Sequence, residues 1–259
     1  RTDTEPENIL ALTFTEAGVA SMRKRLIEFI GSPAYGVSIN TFHGFCNDII
    51  KNYPEEFPMI IGSENINEVD QIRIVEDLIE KLPLKELKPF GDVFYYLRPI
   101  LRALNDLKRE GVSVEKFKEA VEAEAVDFEK IDDLIYEKGP HKGKMKGKYQ
   151  DLLRRINKNK DLAFFYEKYE SRLREEKLYD YSDMIMEVLR TLERNNDLLL
   201  RLQEEYQYVL VDEHQDTNNS QNKILEMLCN FHKNPNIFVV GDEKQAIFRF
   251  QGASIENFL

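Results

Sequence analysis

The chain has 259 residues, 42% of them hydrophobic and 11% aromatic, so it can bury a sizeable core in one large domain or two ordinary ones. A net charge of −11 excludes a uniformly basic nucleic-acid binder but leaves room for a local basic groove. The cysteines are Cys46 and Cys229, far apart and without ligand spacing, which excludes a disulfide framework or a cysteine zinc site and points to a reducing, cytoplasmic setting. No apolar run approaches the roughly 18 residues that span a membrane. No signal-peptide pattern opens the chain. It begins at Arg1-Thr2-Asp3 without an initiator Met, as expected of a processed or excised piece.

Asn8 to Phe14 is an apolar run that predicts a strand. A helix follows, with Val19, Met22, Leu26 and Ile30 on one face, ended by Gly31-Ser32-Pro33. Val37 to Phe42 predicts a second strand, and His43 to Tyr53 a helix with Phe45, Ile49 and Ile50 inward. Strand and helix in alternation predict a parallel sheet with covering helices. From about Pro54 to Asp197 the pattern changes and no strand is expected. Four amphipathic stripes appear there: Ile72, Val75, Ile79 and Leu82; Phe94, Leu97, Leu101 and Leu104; Leu162, Phe165, Tyr169 and Leu173; Met184, Ile185, Val188 and Leu192. They read as the core of a helical domain inserted into the sheet domain. The segment 138–160 holds nine Lys or Arg against the acid Asp151. It suits either a nucleic-acid backbone or a solvated, glycine-bearing loop. The strand–helix rhythm then returns with Tyr208–Val211, a helix carrying Ile224, Leu225 and Leu228, and the apolar run Ile237–Val240.

The chemistry gathers at strand ends. Tyr208–Val211 ends in two carboxylates, Asp212 and Glu213, followed by Gln215 and Asp216. In parallel sheets the ligand lies beyond the carboxyl ends of the strands. One acid there can hold a divalent cation and the other can polarise a water; on its own the pattern is equally a charged turn. Thr13-Phe14-Thr15 and Thr41-Phe42-His43 each place hydroxyls at a strand-to-helix turn. Such turns suit phosphate contacts, or simple helix caps over core aromatics. Gln245 follows the last strand, where an uncharged amide can sense a terminal phosphate. Phe248-Arg249-Phe250 interleaves aromatics with a base, which suits stacking on unpaired nucleobases or a helix start with core phenylalanines. A Gly-x-x-x-x-Gly-Lys-Ser/Thr loop does not occur in the sequence.

Four of these motifs stand in one order. LALTFTEAGVASMRKRL, TFHGFC, LVDEHQDTN and VVGDEKQAIFRFQGAS resemble motifs Ia, Ib, II and III of the UvrD/Rep family of superfamily 1 DNA helicases, with its PcrA, RecB and AddA types. LYDYSDMI resembles a family segment that precedes motif II. The resemblance covers roughly residues 8–53 and 178–259.

It implies an α/β fold: a partial RecA-like parallel-sheet domain (1A), residues 1–53 and 198–259, with an inserted all-helical domain (1B), residues 54–197. It further implies an ATP-dependent helicase that uses Mg2+ and moves on single-stranded DNA while opening duplex, in DNA repair or recombination. By position, Asp212 would hold magnesium and bind nucleotide, Glu213 would activate water, and Gln245 would contact the γ-phosphate. Phe14, Thr15, Thr41, Phe42 and His43 would line the single-strand path, and Phe250 would stack on a base. Domain 1B would touch duplex DNA, and the remaining helicase domains of the parent chain would be partners.

Phe250 stands where many members have Trp, and Gln251 replaces an Arg. The family's P-loop lies before motif Ia, so this polypeptide by itself is expected to hydrolyse little ATP. A RecB- or AddA-like helicase–nuclease, or a DNA-binding module that has lost the P-loop, would share these features.

Overall fold

The structure is a computed structural model that describes residues 4–138, 140–231 and 235–242. In chain order its elements are β1 (Ile9–Thr13), α1 (Glu16–Ile30), β2 (Ser38–Thr41), α2 (Phe42–Asn52), β3 (Glu64–Asn65), α3 (Glu68–Lys81), α4 (Leu97–Arg109), α5 (Val114–Glu129), α6 (Gln150–Glu175), β4 (Leu178–Tyr179), α7 (Tyr181–Arg194), α8 (Asn196–Glu205), β5 (Tyr208–Val211), α9 (Asn219–Cys229) and β6 (Ile237–Val239). The chain divides into two compact units. The first takes Arg1–Asn65, Lys108–Gly111 and Tyr179–Leu259; the second takes Ile66–Leu107 and Val112–Leu178.

The first unit is built on a parallel sheet of order β2-β1-β5-β6. Leu10 sits beside Ser38 on one side and Val209 on the other. Side chains alternate faces along a strand. Leu10 and Leu12 accordingly share a core with Val209, Val211 and the apolar sides of α2, α7, α8 and α9. Ala11 points the other way and packs with Ile39, Val37 and the α1 residues Val19, Met22 and Leu26. Helix starts are capped by the residues that suit them. Thr15 accepts the Gly18 N–H at 3.0 Å and Thr41 the Gly44 N–H at 3.0 Å. Asp180 and Asp183 form a reciprocal capping box at α7, and Asn218 and Gln221 form one at α9. Gly31 ends α1 at φ 71°, where a side chain would be strained.

Two sequence expectations are corrected here. The stripe Met184, Ile185, Val188 and Leu192 is buried under the sheet and does not belong to the helical core. Its helix, α7, packs against α2 and α9, so the compact units part at residues 66 and 178, inside the expected 54 and 197. The physical reason is that a 3.6-residue stripe marks which face is apolar and leaves open which core it meets. The expected strand-free stretch also contains the two-residue strands β3 and β4 and a bridge between Ile135 and Met145.

The second unit is helical. Val75, Ile79, Ile100, Leu104, Phe165 and Tyr169 form its centre. The Tyr169 hydroxyl is satisfied by Gln71 Nε2 at 3.0 Å, and the Tyr166 hydroxyl donates to Val112 O at 3.3 Å. The Asp161 carboxylate gathers the backbone N–H groups of Lys85, Glu86 and Leu87 at 2.8, 2.6 and 3.1 Å. In the basic segment, Lys146 and Lys148 both pair with Asp133, whose pKa they lower to about 2, chiefly through hydrogen bonds. Arg155 pairs with Glu124 at 2.6 Å, while Lys142 and Lys144 are exposed.

Candidate functional site

Because β1, β5 and β6 are parallel neighbours, their C-terminal ends share one rim. The chain leaves β5 at Asp212, whose N–H donates to Leu12 O on β1 at 2.8 Å. On the β6 side, Val240 N–H donates to Val211 O at 2.8 Å and His214 N–H to Val240 O at 3.0 Å. The acidic turn is therefore tied to both neighbouring strands. Asp212 is half-buried, and its Oδ1 accepts the Glu213 N–H at 3.0 Å. Glu213 is exposed and has a left-handed backbone, φ 56°. Such a conformation is uncommon without glycine and persists where neighbours hold it. Gln215, 4% exposed, donates to Glu213 Oε2 and accepts the Asp242 N–H at 2.9 Å. Asp216 is buried, with Oδ1 lacking a hydrogen-bond partner; burial and then the Glu213 charge raise its pKa.

Magnesium keeps several waters and takes one or two carboxylates plus phosphate oxygens. Asp212 beside Glu213 fits that donor set. Among the described residues no group of three or more His, Cys, Asp and Glu forms an all-protein metal cage.

Beside this turn lies a cleft of about 190 Å³. Thr13 and Phe14 enter it from the end of β1, and Phe42 and His43 from the start of α2. Tyr181 and Ser182 come from the start of α7, and Ser220 and Gln221 from the start of α9. Lys108, Arg109 and Asp216 also line it, together with Ile185 and Asn218. Helix N-termini carry partial positive charge. The starts of α2, α7 and α9, together with Arg109, make this cleft suited to anions despite the acidic chain.

The His43 ring lies flat on Tyr181, centroids 3.7 Å apart and planes 17° apart. Burial, reinforced by the Arg109 charge, lowers its pKa to about 4, against a backbone hydrogen bond at Tyr181 that raises it. His43 is therefore a neutral ring at neutral pH. Behind it, Lys108 is 1% exposed and bonds Asp180 at 2.5 Å and Asp183 at 2.6 Å.

The structure thus brings Phe14, Phe42 and His43 into one cleft and sets Asp212 and Glu213 on the adjoining rim. Phe42 is 3% exposed and belongs to the core, so it is wall rather than a stacking face. Thr15 is an exposed cap. Thr41 is buried, donates to Glu16 Oε1 at 3.1 Å and caps α2, so its hydroxyl is engaged inside the protein. Gln245 and Phe250 lie outside the described residues. Lys108, Arg109 and Tyr181 were not among the expected site residues. Tyr181 falls within LYDYSDMI, which the sequence did flag; no local signal marks Lys108, which lies 72 positions from Asp180.

The family model of the UvrD/REP helicase N-terminal domain matches residues 1–259. The chain belongs to that family. It is 29% identical over 259 residues to the ATP-dependent DNA helicase PcrA of Staphylococcus epidermidis, covering 99% of this chain and 30% of that protein. It is 27% identical, over the same shares, to the ATP-dependent DNA helicase PcrA of Staphylococcus aureus. The chain therefore spans about 30% of the length of these relatives. As expected for a UvrD-type chain, the fold is α/β, with a small parallel sheet that forms a partial RecA-like domain. Among the described residues no helix is long and apolar enough to cross a membrane.

Proposed function

We propose that this chain is the hydrolytic and strand-holding part of an ATP-dependent DNA helicase that moves on single-stranded DNA and opens duplex. The observation that supports the reading is the Asp212–Glu213 pair on a shared strand-end rim, beside a cleft ringed by helix N-termini. Asp212 holds magnesium, which when bound draws charge from the phosphate oxygens. Glu213, exposed on the rim, accepts the proton of the attacking water. Gln245 contacts the terminal phosphate. Phe14, Tyr181 and His43 offer rings to unpaired bases, joined by Phe250, while Arg109 and the helix starts meet phosphate charge. Thr15, Thr41 and Phe42 shape this path as caps and wall.

In this reading the sheet unit is domain 1A and the helical unit is the inserted domain 1B, where Lys142 and Lys144 meet duplex phosphates. The rest of the helicase polypeptide is the partner that completes the nucleotide site. The strand-holding part is tested by fluorescence anisotropy of a labelled oligothymidylate with this chain. Salt-sensitive binding that is abolished in Phe14→Ala/Tyr181→Ala supports it. No binding at low salt would remove DNA from the assignment of this cleft.

A further inference from the structure

We propose that Gln215 is a positioning residue that makes the setting of the Glu213 carboxylate depend on the main chain at Asp242. The inference rests on the reading of Glu213 as the acid that activates water. Gln215 is 4% exposed and bridges the two groups, donating through Nε2 to Glu213 Oε2 and accepting the Asp242 N–H at Oε1, 2.9 Å away. An amide has a donor end and an acceptor end, so it cannot turn over without losing both bonds. Buried as it is, Gln215 has little water to replace them, and an unmade bond there is costly.

The two ends of the bridge matter for different reasons. Glu213 is exposed and sits on a left-handed backbone, so its long side chain has rotamer freedom that its partner removes. Displacing a reacting group by about 1 Å can cost on the order of a hundredfold in rate. Asp242 closely follows β6, and the same stretch is held to the acidic turn at Val240 through Val211 O and the His214 N–H. A shift of the chain beyond β6 therefore pulls on Gln215 and, through it, on the carboxylate. The setting of Glu213 is thus tied to the main chain at Asp242 by a side chain with no charge of its own.

Two variants separate the ends of the bridge. Gln215→Glu keeps an acceptor for the Asp242 N–H and loses the donor to Glu213; Gln215→Leu loses both. In this chain, amide exchange at Asp242 should quicken on the order of tenfold in Gln215→Leu and stay near wild type in Gln215→Glu. In the complete polypeptide that carries the chain, kcat for ATP should fall on the order of tenfold in both, with KM little changed. Gln215→Asn, one methylene short, takes the place of Gln215→Leu if circular dichroism shows that variant unfolded. Unchanged Asp242 exchange in the variant lacking both bonds, or unchanged kcat in Gln215→Glu, overturns the proposal. A wild-type polypeptide without ATP turnover overturns the helicase reading instead, and the exchange measurement still decides the bridge.

Discussion

Lys108 lies with its ammonium 2.5 Å from Asp180 Oδ2 and 2.6 Å from Asp183 Oδ1, and is 1% exposed. The two acids belong to the capping box of α7, and Tyr181, between them, stacks on His43. A buried ion pair need not add stability over an apolar packing, yet removing one partner strands the other charge. Lys108→Met should therefore lower unfolding free energy by about 3–5 kcal/mol in urea denaturation. Lys108→Met/Asp180→Asn/Asp183→Asn should recover most of it, since Asn still caps a helix. Wild-type stability of the single variant would show that the charges are not held as described.

His43 gives a pH dependence with a definite sign. Its folded pKa, about 4, lies below the ordinary histidine value of 6.5. Between these values the unfolded chain binds a proton that the folded chain refuses, so stability rises with pH across that window. The contribution is fully present above 6.5 and is lost as pH falls towards 4. Chemical denaturation from pH 7 to 4 should show a steeper decline for the wild type than for His43→Gln. Equal slopes would mean that His43 titrates as an exposed ring.

Arg109 and Tyr181 should affect DNA binding in different ways. Arg109→Gln should weaken binding to single strands of any sequence and reduce the salt slope by about 0.7, the value for one neutralised phosphate. Tyr181→Ala should leave the salt slope alone and cost about 1–3 kcal/mol, the range for one stacked base. Anisotropy titrations over a salt series measure both. A Tyr181→Ala variant with unaltered affinity would place the bases elsewhere.

The basic segment is divided by its ion pairs. Lys146 and Lys148 share the single Asp133 carboxylate, Lys148 while itself exposed; Lys142 and Lys144 are exposed as well. Lys142→Gln/Lys144→Gln should weaken duplex binding and lower its salt slope by up to about 2, roughly 0.9 for each phosphate no longer neutralised. Lys146→Gln/Lys148→Gln should change it less. Duplex affinity that ignores all four would exclude the segment from DNA binding.

Most of what the sequence made legible was local. The runs Ile9–Thr13 and Tyr208–Val211 announced strands because each is an unbroken apolar run; β1 is buried on both faces, whereas on β5 Val209 and Val211 are buried and Leu210, on the other face, is 37% exposed. Thr15 and Thr41 carried an ambiguity that only coordinates resolve, since one hydroxyl suits a phosphate and a helix cap alike. In Thr41 the cap and Glu16 use it up. The allegiance of α7 was hidden because an apolar stripe has no address. Lys108 was hidden for a stronger reason: its two acids lie 72 and 75 positions away and nothing near it in the chain hints at burial. Gln215 was visible beside the acids, but its second partner, the Asp242 amide, is set by strand pairing.

The role assigned to the Glu213 carboxylate is to activate water. Its most direct test is ATP turnover by the complete polypeptide that carries this chain, wild type against Glu213→Gln, with magnesium and single-stranded DNA present. The expected result is a fall of at least on the order of a hundredfold, the usual minimum worth of a general base, with nucleotide binding retained. Hydrolysis that continues at the wild-type rate in the variant would contradict it.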